Sequence, residues 1–107
     1  MTVSMVGKLV RDKIPKIMIA KGVEPVFYIA GPEERRRRLR RKLMEEVREY
    51  LVADEESGPE ELADVLEVIL AFARDHGLSR DQLEEIRMKK ELERGGFDDW
   101  IILTGTR

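Results

Sequence analysis

The chain has 107 residues, 42% hydrophobic and 39% charged, with no cysteine and a single histidine, His76. That length fits one domain, residues 1–107, which as a compact monomer would bury about 65% of the surface its unfolded chain exposes. Twenty basic against 22 acidic residues leave a net charge of −2, which excludes a protein-wide cationic field for nucleic acid but not a local patch. Without cysteine there are no disulfides, thiolate zinc sites or cysteine nucleophiles, and one histidine cannot build a histidine-rich metal site within one chain. No apolar run approaches the ~18 residues of a membrane span, and the N-terminus lacks the apolar stretch of a signal peptide. The expectation is a cytoplasmic protein, with no membrane partner, whose chemistry rests on carboxylates, Lys and Arg.

The sequence reads as mainly α, an antiparallel bundle of about four helices. Residues 8–21 predict a short helix entered or interrupted at Pro15 and ended by Gly22. Residues 25–30, β-branched and aromatic, predict a strand. Pro32 with Glu33 and Glu34 suits a helix start, and that helix runs to about Ala53. A turn over 54–59 follows, where Ser57 and Glu60 have the spacing of a capping box for a third helix ending at His76-Gly77. Ser79 and Gln82 repeat the signature for a fourth helix, which Gly95-Gly96 stops after Arg94. Residues 99–103 predict a second short strand, able to pair with 25–30 as a two-stranded ribbon.

Helical periodicity locates the acids. On the third helix, at about 100° per residue, Leu62, Val65, Leu66, Val68, Ile69, Leu70, Ala71, Phe72 and Ala73 spread over a wide apolar arc, and Glu61 and Asp64 fall inside it. On the second helix, Glu46 falls beside Leu39 and Tyr50 on the core face and Glu49 lies on its flank, while Glu45 points further out. Buried uncompensated, such acids cost several kcal/mol each. The short turn implies a helical hairpin, across which Glu46, Glu49, Glu61 and Asp64 converge. Each pair is spaced i,i+3, so both members share a face. Four carboxylates in one place need a cation, and an all-oxygen ligand set suits Mg²⁺ or Mn²⁺ better than zinc. A single such spacing on a helix is usually a set of surface ion pairs; two facing each other inside apolar arcs favour a site.

The segments LMEEVREYL and EELADVLEVI, separated by a short turn, resemble the all-α nucleoside triphosphate pyrophosphohydrolases of the MazG and phosphoribosyl-ATP pyrophosphohydrolase superfamily. The EExxE and ExxD motifs match at Glu45, Glu46, Glu49, Glu61 and Asp64. The KLVRDKIP opening at 8–15 and the KKELERGGF stretch at 89–97 resemble the small, single-domain MazG-like branch. The resemblance implies Mg²⁺-dependent cleavage of a nucleotide substrate between its α- and β-phosphates, giving a nucleoside monophosphate and pyrophosphate. It also implies a homodimer or homotetramer, with Glu46, Glu49, Glu61 and Asp64 as metal ligands and Glu45 as a ligand or water-orienting base. Housekeeping removal of non-standard nucleotides is the role it suggests, and phosphoribosyl-ATP hydrolysis in histidine biosynthesis is the runner-up.

A triphosphate needs further positive charge. Lys8, Arg11 and Lys13 in the opening segment are candidates, with Asp12 able to orient Arg11. Lys90 and Arg94 on the fourth helix share a face at i,i+4 and match the family's K…R pair. The basic run at 35–42 reads mainly as a solvated face paired with Glu33, Glu34, Glu45 and Glu49, so nucleic-acid binding is disfavoured, although a non-catalytic RNA-binding or helical interaction module using that run is the alternative of another class. Lys42 projects toward Glu46 and Glu49. His76 reads as a helix C-terminal residue, the methionines and Phe72 as core, and Tyr28 and Trp100 as packing a ribbon against the helices.

Overall fold

The structure, a computed structural model, describes residues 7–107; residues 1–6, part of the stretch read for a signal peptide, lie outside it. Proline and glycine punctuate the described chain where the sequence places them. Helix α1 (Ile14–Ala20) begins with Pro15 in its first turn, where a missing N–H costs nothing, and Gly22 follows it at φ 78°. Residues 8–13 are not helical, so the helix is shorter than the 8–21 reading. Helix α2 (Pro32–Val52) opens on Pro32 with Glu33 and Glu34 in its first turn. Helix α3 (Gly58–Asp75) closes on a Schellman turn, in which the Leu78 N–H donates to the Ala73 carbonyl (2.8 Å) and the Gly77 N–H to that of Arg74 (2.9 Å). Gly77 is the residue that takes the left-handed conformation there, at φ 77°.

Helix α4 (Arg80–Arg94) has both halves of its capping box: the Gln82 N–H donates to Ser79 Oγ (3.1 Å) and the Ser79 N–H to Gln82 Oε1 (2.8 Å). The box expected at Ser57 and Glu60 does not form. Ser57 is already helical in φ and ψ, and both its N–H and its hydroxyl donate to Asp54 Oδ1, at 2.8 and 2.7 Å. Asp54 therefore caps this turn, and those two donors hold its carboxyl below the usual carboxylate range.

α2 packs on α3 and α3 on α4. Arg35 and Arg36 near the start of α2 reach Asp75 at the end of α3, while Glu46 further along α2 meets Glu61 and Asp64 near the start of α3. The contacts run in opposite senses along the two helices, the order a helical hairpin produces. No helix among the described residues is long and apolar enough to cross a membrane.

The ribbon is absent: no strand occurs among the described residues. Two local contacts account for this. Trp100 sits at φ 52°, outside the β region, which breaks the 99–103 segment. The Tyr28 hydroxyl donates to Glu34 (2.5 Å), which ties 25–30 to the first turn of α2. Tyr28 and Trp100 are consequently exposed instead of packed, and Val26 is 99% exposed. Met44 and Met88, expected in the core, are exposed as well.

The core of the single chain is small, with Leu39, Val68 and Ala73 as its buried apolar residues. The accessible surface of 9846 Å² compares with about 6,100 Å² for a compact monomer of this mass, and means that about 45% of the extended-chain surface is buried, not 65%. The radius of gyration, 18.0 Å, likewise exceeds the ~13 Å of a compact domain this long. Much of the unburied surface is apolar. Leu62, Leu66 and Ile69, one stripe along α3 at i, i+4 and i+7, remain exposed, so the wide apolar arc of this helix is only partly covered by its neighbours.

Candidate metal centre between two helices

Hydrophobic phase builds the site. Leu39 and Val68 pull α2 and α3 together, and the acids that share those faces come with them. Ligand oxygens of Glu46, Glu61 and Asp64 all lie within 4.8 Å of one another. Oxygens on opposite sides of a hard divalent ion stand about 4–5 Å apart, so small side-chain adjustments let one cation touch all three. Glu46 is 7% exposed. Its Oε2 and the Oε2 of Glu61 are both buried with no hydrogen-bond partner, in a protein interior where such atoms are normally satisfied. Two buried carboxylate oxygens without donors, on residues whose ligand oxygens converge, are what a cation would satisfy, and the donor set fits Mg²⁺ or Mn²⁺.

Burial pushes the Glu46 carboxyl above its usual range, and the negative charges of Glu49 and Asp64 add to this, while the Lys42 ammonium opposes it. Lys42 Nζ lies 3.4 Å from Glu46 and 3.8 Å from Glu45; no ion pair joins it to Glu49. Glu49 itself is exposed on the flank of α2, outside the converging triad but near enough for its charge to act on Glu46. Glu45 is held by Lys8 (3.4 Å) and Lys42.

Of the expected phosphate handles, Arg11 and Lys8 lie against the acids. Arg11 Nη2 donates to Asp64 Oδ1 at 2.6 Å, and Arg11 Nη1 stands 3.9 Å from Glu67. Arg11 is thus oriented by Asp64 and Glu67, with no ion pair to Asp12. Lys13, Lys90 and Arg94 are exposed, with no ion pair among the described residues, and none meets the triad. His76 is the C-cap of α3, through its backbone N–H.

Of the partners expected for the basic run, Glu34 and Glu45 pair with it, and no ion pair to Glu33 or Glu49 forms among the described residues. Asp75, which the sequence reading overlooked, takes Arg36 (2.9 Å) and Arg35 (3.2 Å), and the Arg36 guanidinium foremost holds its carboxyl below the usual range. Its position at the far end of the hairpin from the turn, directly across from the start of α2, was the signal available. Glu34 takes Arg38 (3.2 Å) and Arg37 (3.8 Å).

Comparison with family models, with curated proteins and with solved structures returns no match.

Proposed function

We propose that this chain is a divalent-metal-dependent nucleoside triphosphate pyrophosphohydrolase, acting as a homo-oligomer in the cytoplasm. The observation that carries the reading is the convergence of Glu46, Glu61 and Asp64 within 4.8 Å, with two of their buried oxygens unpartnered. Glu46, Glu61 and Asp64 hold the ion, and Glu49 completes the set from the flank. Mg²⁺ bound there supplies charge neutralisation on the phosphates and a water of lowered pKa.

The chain's own residues then divide the remaining work. Glu45, already tethered by Lys8 and Lys42, orients the attacking water and accepts its proton. The water oxygen bonds to phosphorus as the α–β bridging P–O bond breaks, and the pyrophosphate departs with the bond's electron pair. Arg11 and Lys8 stabilise the charge that accumulates on the departing group; Arg11 reaches it by leaving Asp64.

Homo-oligomerisation is supported by the surface balance. The excess of about 3,700 Å² per chain over a compact monomer, about 7,400 Å² for two copies, is as large as or larger than the surface that obligate interfaces bury on both partners together. The Leu62–Leu66–Ile69 stripe offers a helix face for a second copy.

The test is a panel of standard and damaged NTPs and dNTPs, with phosphoribosyl-ATP, assayed with Mg²⁺ and scored separately for pyrophosphate and phosphate. Metal-dependent pyrophosphate release is the expected result, and the best substrate separates nucleotide housekeeping from histidine synthesis. No release from any member would refute the assignment.

A further inference from the structure

The seven basic residues between Arg35 and Lys42 separate into two groups. Arg35 and Arg36 close on Asp75, Arg37 and Arg38 on Glu34, and Lys42 on Glu45 and Glu46. Arg40 and Arg41 reach no carboxylate among the described residues, and neither does Arg48 two turns further on. At 100° per residue, Arg37, Arg41 and Arg48 fall within about 40° of each other on the side of α2 opposite Leu39, with Arg40 at the margin. Arg37, Arg40, Arg41 and Arg48 line an open groove of about 550 Å³ with Lys8, Glu45 and Met44.

This arrangement works against the helix. Arg37–Arg40 and Arg37–Arg41 are like-charge neighbours at i,i+3 and i,i+4, which destabilise a helix. Glu45 is held by Lys8 and Lys42, and neither Glu33 nor Glu49 pairs with Arg40, Arg41 or Arg48, so three guanidinium groups face solvent together without an ion-pair partner among the described residues. A local rule broken without an internal partner points outward. The unpaired charges are all Arg, the side chain that grips phosphate bidentately and whose plane stacks on unpaired bases, and Met44 adds apolar contact at the same place.

We infer that the outer groove of α2 binds the phosphate backbone of single-stranded nucleic acid, through Arg40, Arg41 and Arg48. Arg40, Arg41 and Arg48 lie away from the Glu46 face of α2, although Lys8 and Glu45, which the proposed hydrolysis also uses, line the same groove; binding measured without metal does not depend on that hydrolysis. The paired Arg35 and Arg36 contribute little, because their charge is already spent on Asp75.

The test is fluorescence anisotropy of the full chain with a labelled oligouridylate on the order of 15 nucleotides long, in EDTA. Three phosphates neutralised on a single strand give a slope of about −2 in log K against log salt, so a fourfold rise in salt weakens binding roughly 20-fold. Arg40→Gln/Arg41→Gln/Arg48→Gln is expected to lose at least about tenfold at low salt and to flatten the slope. Arg35→Gln/Arg36→Gln is expected to stay within about twofold of the parent. If the triple variant fails to fold, Arg41→Gln alone is expected to reduce the slope by about 0.7. Absence of salt-dependent binding by the parent, or equal losses in the two multiple variants, would overturn the inference. Inorganic polyphosphate competing as well as unlabelled RNA at equal phosphate would assign the groove to polyphosphate and overturn its identification as a nucleic-acid site.

Discussion

Glu46→Gln is expected to stabilise the metal-free protein at neutral pH, although it removes the most buried acid of the candidate centre. In the parent chain the Glu46 carboxylate is almost fully buried, one of its oxygens has no donor, and the charges of Glu49 and Asp64 bear on it. Leaving such a group short of partners costs about 1–3 kcal/mol, against which the partly exposed Lys42 pair at 3.4 Å returns about 0.2–1 kcal/mol. Glutamine keeps the shape and removes the charge. The net gain is about 0–3 kcal/mol, and each kcal/mol raises the Tm of a domain this small by roughly 4–8 °C.

The pH dependence carries a sign that identifies the cause. A carboxyl raised above its unfolded value holds its proton more tightly in the native state. Its contribution is therefore fully present below the ordinary glutamate range and is lost as pH rises through the raised value. The advantage of the Gln variant over the parent is thus largest at neutral pH and shrinks as pH falls toward about 4. Thermal melts in EDTA across that range measure it. A variant less stable than the parent at neutral pH, or a gap that does not change with pH, would refute the reasoning.

Three further outcomes follow from particular contacts. Arg11→Ala is expected to tighten Mg²⁺ binding by up to about fivefold in calorimetry, because the competing Asp64 ion pair is half exposed and worth no more than about 1 kcal/mol, while pyrophosphate release falls. Ser79→Ala, which breaks a complete capping box, should cost about 1 kcal/mol by denaturant melts, whereas Ser57→Ala should cost clearly less because Asp54 does the capping there. Asp75→Asn should lower Tm near neutral pH, by an amount that shrinks as pH falls below the ordinary aspartate range. The depressed Asp75 carboxyl stabilises the fold above its unfolded pKa, and that contribution is lost as pH falls through the folded value.

The helices were legible in the sequence because their ends are chemically marked. Pro15, Pro32, the Ser79–Gln82 box and Gly77 each act through one local backbone requirement, which no tertiary contact overrides. The candidate site was legible for a related reason: Glu46, Glu61 and Asp64 interrupt apolar arcs, and a periodic pattern shows its interruptions. Glu49 already stood on the flank by angle, but angle does not say how far a flanking side chain reaches, and it lies outside the converging three. What failed to read through were features decided by competing contacts, some close in sequence and some distant. The 25–30 and 99–103 segments have strand composition, but β-propensity expresses itself only when a partner strand is in place, and Tyr28 and Trp100 take other conformations. Ser57 and Glu60 have the spacing of a box, yet Asp54 lies one turn earlier and takes both of the Ser57 donors. Asp75 became visible only once the hairpin brought it opposite Arg35 and Arg36. The expected 65% burial failed because it presumed that one chain closes its own core.

The most direct test of the central claim is a calorimetric Mn²⁺ titration of the parent chain beside Asp64→Asn and Glu60→Gln, the latter an exposed acid in the first turn of α3. The expected result is a saturable site in the parent and in Glu60→Gln, absent from Asp64→Asn, with all three proteins equally helical. Equal binding by all three, or no binding by the parent, would contradict a metal centre between α2 and α3.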